Sequence, residues 1–244
     1  MAMHSDVVII IPSRIGSTRL ARKALLPIGD MLLIEHVISR LKPVNNGNLY
    51  VATDSAEIAK IADAAGAIAI MTDQNCQSGS DRVFEALCQI PEHDKIEYII
   101  NVQGDMPFID VKVVNQIITM LRDTSFDIVT PAVNIGKELA QNSSNVKLIV
   151  NNNGEALYFS RSMIPYDGEE FLYHVGIYGF RRQALEKFVK LAQGQYEQIE
   201  KLEQLRALEH GMKIGVCFSN EIPISVDTIE DLEKACKYNQ QWKR

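Results

Sequence analysis

The segment Val7-Val8-Ile9-Ile10-Ile11 is apolar at every position. A short run without alternation predicts a strand covered on both faces, as in a parallel sheet. Asp30 stands where a helix N-cap would, before a segment with Leu33, Val37, Ile38 and Leu41 on one side. Leu49–Thr53 predicts a second strand, and Asp54 with Glu57 forms a candidate capping box for a helix whose inner face is Ile58, Ile61, Ala62 and Ala65. Ala67–Met71 predicts a third strand, Asp81–Gln89 a helix and Tyr98–Val102 a fourth strand. Val111–Arg122 predicts a helix with Val114, Ile117, Ile118 and Leu121 inward. Parallel neighbours need a crossover, usually a helix, so this rhythm predicts an α/β fold with a doubly wound, mostly parallel sheet.

Beyond Asp127 the rhythm changes. Asp127–Val133, Val146–Val150 and Glu155–Phe159 predict strands, with Asn151-Asn152-Asn153-Gly154 as a hairpin turn between the last two. His174–Phe180 predicts a further single strand, followed by helices at Arg182–Leu191 and Tyr196–Glu209, with Gly211 as a C-terminal stop. Lys213–Phe218 predicts the last strand, and Thr228 with Asp231 opens a final helix. No Gly-, Pro- or Ser-rich linker and no internal repeat divides the chain. The expectation is one domain over residues 1–244, a parallel N-terminal half continued by a mixed, partly antiparallel part.

Composition narrows the function classes. With 244 residues, a net charge of −6 and 46% apolar residues, the chain matches soluble globular proteins and excludes disordered, collagenous and disulfide-scaffold classes. The acidic balance argues against broad binding to nucleic acid or acidic membranes. Val7–Pro12 is too short for a signal sequence or a membrane span, so a cytoplasmic location is expected. Cys76, Cys88, Cys217 and Cys236 show no CxxC pairing; reduced, mostly buried thiols are expected.

Ligands in open α/β sheets bind beyond the carboxyl ends of the strands. After the first strand, Arg14 to Lys23 holds four basic residues in ten, with no acid between Val7 and Gly29. Small Gly and hydroxyl residues among these cations let backbone N–H groups approach phosphate oxygens. The pattern is neither GxxxxGK[ST] nor GxGxxG, which disfavours P-loop ATPases and NAD dehydrogenases. After the fourth strand, Gln103-Gly104-Asp105-Met106-Pro107 offers a carboxylate suited to Mg²⁺, which takes one or two protein carboxylates plus substrate phosphates. Asp227, just before the final helix, is a second such acid, although an Asp there commonly only caps the helix.

The blocks "IIPSRIGSTRLARKALLPIGD", "VATDSAEI", "SGSDRV", "NVQGDMP", "YFSRSMIPY", "HVGIYGFR", "LEQLRALEHG" and "ISVDTIEDLEKA", in this order over nearly the whole chain, resemble the 3-deoxy-D-manno-octulosonate (Kdo) cytidylyltransferase family. The resemblance implies a three-layer, Rossmann-like nucleotide-diphosphosugar transferase fold. It also implies the reaction of CTP with Kdo to give CMP-Kdo and pyrophosphate, Mg²⁺ as cofactor, a homodimer, and a product that feeds lipopolysaccharide assembly. Residue by residue, it assigns Arg14, Ser17, Arg19 and Lys23, with Ser78, Arg82 and Gln103, to the nucleotide. Gln103, Arg161, His174, Tyr178, Glu203 and Gln204 fall to the sugar, and Asp105 and Asp227 to the metal. Lys23, Asp105 and Asp227 form the implied catalytic set.

Read without the resemblance, several of these residues have plainer roles. His174 suits a hydrogen-bonded core position, Arg161 a simple ion pair, and Glu203 and Gln204 the solvated side of a helix that buries Ile199, Leu202 and Leu205. The chain also departs from the family pattern. Ala21, Arg22 and Ala24 surround Lys23 in place of a Pro-Gly-Lys-Pro run, and Arg22 adds a candidate phosphate contact. Met106 replaces a Glu, Ser80 and Asp81 replace Thr and Glu, Tyr173 stands where Arg is usual, and the Tyr166–Tyr173 connection is short. The expected chemistry is in-line attack of a sugar hydroxyl on the α-phosphorus, dominated by positioning and charge neutralisation, with no side chain marked as general base. Rival readings are a cytidylyltransferase for a sialic-acid-type sugar, a non-catalytic nucleotide-binding protein on the same fold, and a glycosyltransferase, for which a DxD pair is missing.

Overall fold

The computed structural model describes residues 6–16, 20–44 and 48–242. In chain order its elements are β1 (Val7–Ser13), β2 (Pro27–Ile28), β3 (Met31–Leu32), α1 (Leu33–Leu41), β4 (Leu49–Thr53), α2 (Ala56–Ala65), β5 (Ile68–Met71), α3 (Gly79–Gln89), β6 (Tyr98–Asn101) and α4 (Val111–Asp123). There follow β7 (Ile128–Gly136), α5 (Lys137–Gln141), β8 (Lys147–Val150), β9 (Ala156–Ser160), β10 (Glu170–His174), β11 (Tyr178–Arg181), α6 (Arg182–Phe188), α7 (Gln195–Glu200), α8 (Gln204–Glu209), β12 (Ile214–Phe218) and α9 (Ile229–Trp242). Two compact units result, Met1–Val114 with Pro223–Arg244, and Asn115–Ile222.

The first unit is built on a parallel sheet in the order β5-β4-β1-β6. Ile9, Ile10 and Ile11 of the interior strand β1 are fully buried, as their unbroken apolar run predicts. Each such side chain contributes about 1.5–3 kcal/mol of burial. Two helix starts differ from expectation. Asp30 is not the N-cap of α1, which is Leu32, because Gly29 (φ 65°) and Asp30 make the turn of a β2–β3 hairpin. The first-turn acid Glu35 instead accepts the Leu32 N–H at 2.7 Å. At α2 the cap is Ser55, which accepts from the Ile58 N–H at 3.4 Å; Asp54 is diverted to the Ile15 N–H at 2.9 Å.

Pro223–Arg244 returns to this first unit. Thr228 and Asp231 cap α9 reciprocally, the Asp231 N–H donating to Thr228 Oγ1 at 3.2 Å and the Thr228 N–H to Asp231 Oδ2 at 3.1 Å. The helix packs against β2, where Asn239 Nδ2 donates to the Ile28 carbonyl at 3.3 Å. Just before α9, the Val226 N–H donates to the Asp105 carbonyl at 2.9 Å.

The second unit centres on β7, with β12 parallel on one edge and β10 and β11 antiparallel on the other. β8 joins β10, and the expected Asn151–Gly154 hairpin links β8 to β9. Asn151 Oδ1 closes that turn by accepting from the N–H groups of Asn153 and Glu155 at 2.9 and 3.0 Å.

The single strand expected over His174–Phe180 is two strands. His174 pairs with Ala132 and Gly179 with Val129, so the segment between holds two residues more than β7 opposite. Pro131 lies in that gap of β7 and has no N–H to offer a ladder, and Val175-Gly176-Ile177 forms a bulge there whose Val175 and Ile177 side chains are buried. The helix expected over Tyr196–Glu209 is likewise broken. Lys201 takes a left-handed conformation (φ 54°) and ends α7, which leaves Ile199 66% exposed rather than on a buried face. All four cysteines are free, as expected, but they are not mostly buried: Cys88 is exposed and the other three are half-buried. Among the described residues no helix is long and apolar enough to cross a membrane.

Candidate active site

In the first unit the carboxyl ends of β1 and β6 and the N-terminus of α3 border a cleft of about 330 Å³, lined among others by Ser13, Arg14, Lys23, Ser78, Arg82, Gln103, Asp105 and Asp227. Close approach shapes it. A Cβ at Gly104 would stand 3.1 Å from the Pro12 carbonyl oxygen, so a larger residue there is accommodated only by a small backbone shift. Ser78 caps α3, accepting from the Asp81 N–H at 3.1 Å and donating to Asp81 Oδ2 at 2.9 Å. The first turn of that helix brings positive dipole and backbone N–H groups to the cleft wall, a setting that favours anions.

Lys23 stands in a short helical turn at Lys23–Leu25. Its Nζ donates to Asp105 Oδ2 at 2.7 Å and to Asp227 Oδ1 at 3.0 Å. Burial opposes the ammonium charge, yet the two carboxylates outweigh it and raise the Lys23 pKa above its ordinary value. The two acids, far apart in the sequence, therefore form one cluster with Lys23, and the Val226 N–H to Asp105 carbonyl bond ties their segments together. Asp105 Oδ1 is buried without a hydrogen-bond partner among the described residues. Two carboxylates against one ammonium, with a dry acceptor to spare, fit a small hard dication. Among the described residues no three His, Cys, Asp or Glu side chains gather to hold an ion.

The other nucleotide-side residues divide. Arg14 is exposed at the end of β1. Arg82 is buried, its Nη1 donating to Thr72 Oγ1 at 2.5 Å and its Nη2 paired with Asp54 at 3.4 Å; it stiffens the wall through Asp54, which also holds the Ile15 N–H. Gln103 Nε2 donates to Asn101 Oδ1 at 3.2 Å. Arg22 pairs with the exposed Glu57. Ser17 and Arg19 lie outside the described residues.

In the second unit three of the expected sugar-side residues, His174, Tyr178 and Gln204, gather. Tyr178 OH donates to Gln204 Oε1 at 3.1 Å. The rings of His174 and Tyr178 lie 5.5 Å apart, and Phe159 meets His174 edge-on at 5.0 Å. Gln204 is buried, not solvated, and its Nε2 has no hydrogen-bond partner among the described residues. Burial, with the nearby Glu203 carboxylate, lifts the Tyr178 phenol far above its ordinary pKa. Arg161 does not form a simple ion pair. Its Nε donates to the Glu200 carbonyl at 2.9 Å, and Nη1 and Nη2 reach the Ser143 and Lys201 carbonyls at 3.3 and 3.4 Å.

Burial pushes the His174 pKa down to about 3, against about 6.5 in an unfolded chain. The unfolded chain therefore takes up a proton that the folded chain refuses. The stability this residue contributes is whole above about pH 6.5 and drains away as pH falls toward about 3. The urea midpoint of the wild type is expected to drop more steeply between about pH 7 and 4.5 than that of His174→Gln. Equal slopes would assign the acid sensitivity elsewhere.

A family model described as cytidylyltransferase matches residues 8–214. The 3-deoxy-manno-octulosonate cytidylyltransferase of Rickettsia bellii is 51% identical over 240 residues, covering 98% of both chains. That of Rickettsia prowazekii is 53% identical over 235 residues, covering 96% of each. The chain belongs to the 3-deoxy-manno-octulosonate cytidylyltransferase family. The solved structure of CMP:2-keto-3-deoxy-manno-octonic acid synthetase complexed with CTP is similar throughout, with 36% identity, a TM-score of 0.91 and coverage of 98% of this chain and 100% of that one.

Within this cytidylyltransferase, three residues that sequence reasoning passed over support the site. Asp54 looked like a helix cap. Thr130 sits in an apolar run where a β-branched hydroxyl residue is ordinary. Lys147, at a strand start where Lys is normally solvated, is fully buried. Its Nζ donates to the carbonyls of Asn142, Asn145 and Arg161 at 3.2, 2.5 and 2.5 Å, and burial lowers its pKa. No sequence pattern marks such a lysine; only the fold shows that it pins the backbone at Arg161.

Proposed function

We propose that the protein transfers the CMP moiety of CTP to Kdo with release of pyrophosphate, and that Lys23, Asp105 and Asp227 form its catalytic cluster. The observation that carries this reading is the Lys23 ammonium bridging the two aspartates in a cleft of about 330 Å³, in a chain so close to 3-deoxy-manno-octulosonate cytidylyltransferases. The anomeric hydroxyl attacks the α-phosphorus in line; a Pα–O bond to the sugar forms, the Pα–O bond to the β-phosphate breaks with its electron pair leaving on pyrophosphate, and the hydroxyl proton passes to solvent water. Arg14, Arg19 and Lys23 take the charge that accumulates on the departing pyrophosphate, while the α3 N-terminus with Ser78 and Gln103 orients the nucleotide. Asp105 and Asp227 would hold Mg²⁺, which when bound supplies Lewis acidity toward phosphate charge.

His174, Tyr178, Glu203 and Gln204 present donors and acceptors suited to a polyhydroxy acid, and Arg161 retains guanidinium N–H groups for its carboxylate. Rate enhancement then comes from positioning and charge neutralisation. A cytoplasmic homodimer that supplies lipopolysaccharide synthesis is proposed on the family resemblance, and light scattering tests the dimer.

The deciding assay follows pyrophosphate release from CTP, UTP, ATP and GTP, each with Kdo or N-acetylneuraminate, with and without Mg²⁺. Release confined to CTP with Kdo in the presence of Mg²⁺ is the expected result. Release with N-acetylneuraminate alone would reassign the sugar, and nucleotide binding without any release would make the protein a non-catalytic binder.

A further inference from the structure

The bulge opposite Pro131 has a chemical consequence for His174. Thr130 Oγ1, fully buried, lies 2.9 Å from His174 Nε2, 2.8 Å from the Ile177 carbonyl oxygen and 3.2 Å from the Val175 carbonyl oxygen. A hydroxyl carries one proton, and carbonyl oxygens only accept. If that proton pointed at His174, Oγ1 would face the Ile177 oxygen at 2.8 Å with lone pair against lone pair. Directed instead at a carbonyl, it leaves an Oγ1 lone pair toward the ring, and Nε2 must then be the N–H. His174 is 6% exposed, so bulk water does not relieve the constraint. Phe159 and Tyr178 pack against the ring. None of the described residues hydrogen-bonds Nδ1.

We propose that Thr130 is a positioning residue that holds His174 in its neutral Nε2–H tautomer, so that Nδ1 is an obligate acceptor for a hydroxyl of the sugar acid. The proposal rests on the reading of this cluster as the Kdo pocket. It explains why the chain spends two extra residues at Val175–Ile177: both carbonyls fold onto Thr130 and consume its only proton. A neutral ring with a fixed lone pair selects a donor hydroxyl and gives nothing to an ether or a carbonyl at the same place.

The test is nitrogen NMR of the full-length protein labelled with ¹⁵N-histidine at pH about 7.5, with His174 assigned by the loss of its signals in His174→Gln. The expected spectrum shows Nε2 in the protonated range and Nδ1 in the bare range. An Nδ1–H or doubly protonated pattern would overturn the proposal. Thr130→Ser, which keeps the hydroxyl, is expected to retain both the pattern and a KM for Kdo within about twofold. Thr130→Val is expected to lose the pattern and raise the KM for Kdo roughly tenfold, with the KM for CTP within about twofold. A Thr130→Val enzyme with wild-type pattern and KM would equally overturn it. If that variant does not fold, the wild-type spectrum and Thr130→Ser decide. Absence of turnover with CTP and Kdo in the wild type would instead sink the functional reading, and with it the hydroxyl assignment, while the nitrogen signature still judges Thr130.

Discussion

Asp105→Asn lowers kcat/KM for CTP and Kdo by at least about 100-fold, equivalent to about 2.7 kcal/mol of lost transition-state stabilisation. The change is isosteric, so the Val226 N–H to Asp105 carbonyl bond persists and the fold is retained, as circular dichroism and thermal unfolding will show. What disappears is one of the two negative charges that hold Lys23 and fit a dication. Asp227→Asn is expected to have a comparable effect, because its carboxylate shares the same ammonium. The double variant should lose far less than the product of the two, since groups that act as a unit are not additive. Near-native turnover in Asp105→Asn would remove this carboxylate from the chemistry.

The largest effect on stability is expected at Glu197 in the second unit. Arg206 grips Glu197 through two bonds, Nε to Oε2 at 2.8 Å and Nη2 to Oε1 at 2.6 Å, with both side chains buried. The guanidinium carbon also lies 4.9 Å from the Phe188 ring centre. Glu197→Ala leaves this guanidinium buried without its carboxylate, a loss of about 3–5 kcal/mol. For a chain of this size that lowers Tm by roughly 10 °C. The i,i+4 pair Arg182–Glu186 is more exposed, and Glu186→Ala should cost below about 0.5 kcal/mol. Similar losses in the two variants, read by urea unfolding, would show that the Glu197 pair is not a structural anchor.

Legibility in the sequence followed the range of the interactions concerned. The parallel half was readable because β1, β4 and β6 declare themselves by apolar runs that are buried on both faces, and the shorter run of β5 stands out although Ile68 and Met71 are exposed at the sheet edge. The cationic loop and the two acids were legible as types, since a phosphate site draws on few residue kinds. Their meeting was not, because Lys23 and Asp227 are joined only by the return of residues 223–244 to the first unit. Asp54 was misjudged because a capping pattern is local, whereas its partners Ile15 and Arg82 are distant in sequence. The break at Lys201 has no Gly or Pro to announce it. The break after His174 did have a marker in Pro131, but on the neighbouring strand. Lys147 defied prediction altogether, since three backbone carbonyls leave no trace in composition.

The order of synthesis adds one consequence of that late return. A ribosome that has translated the first 222 residues has already released every strand of the parallel sheet, yet it has not made Asp227 or the helix that braces β2. The carboxylate pair is therefore incomplete until residue 227 has been translated. Prematurely terminated products are expected to be inert rather than partly active, since half a carboxylate pair is all that they inherit.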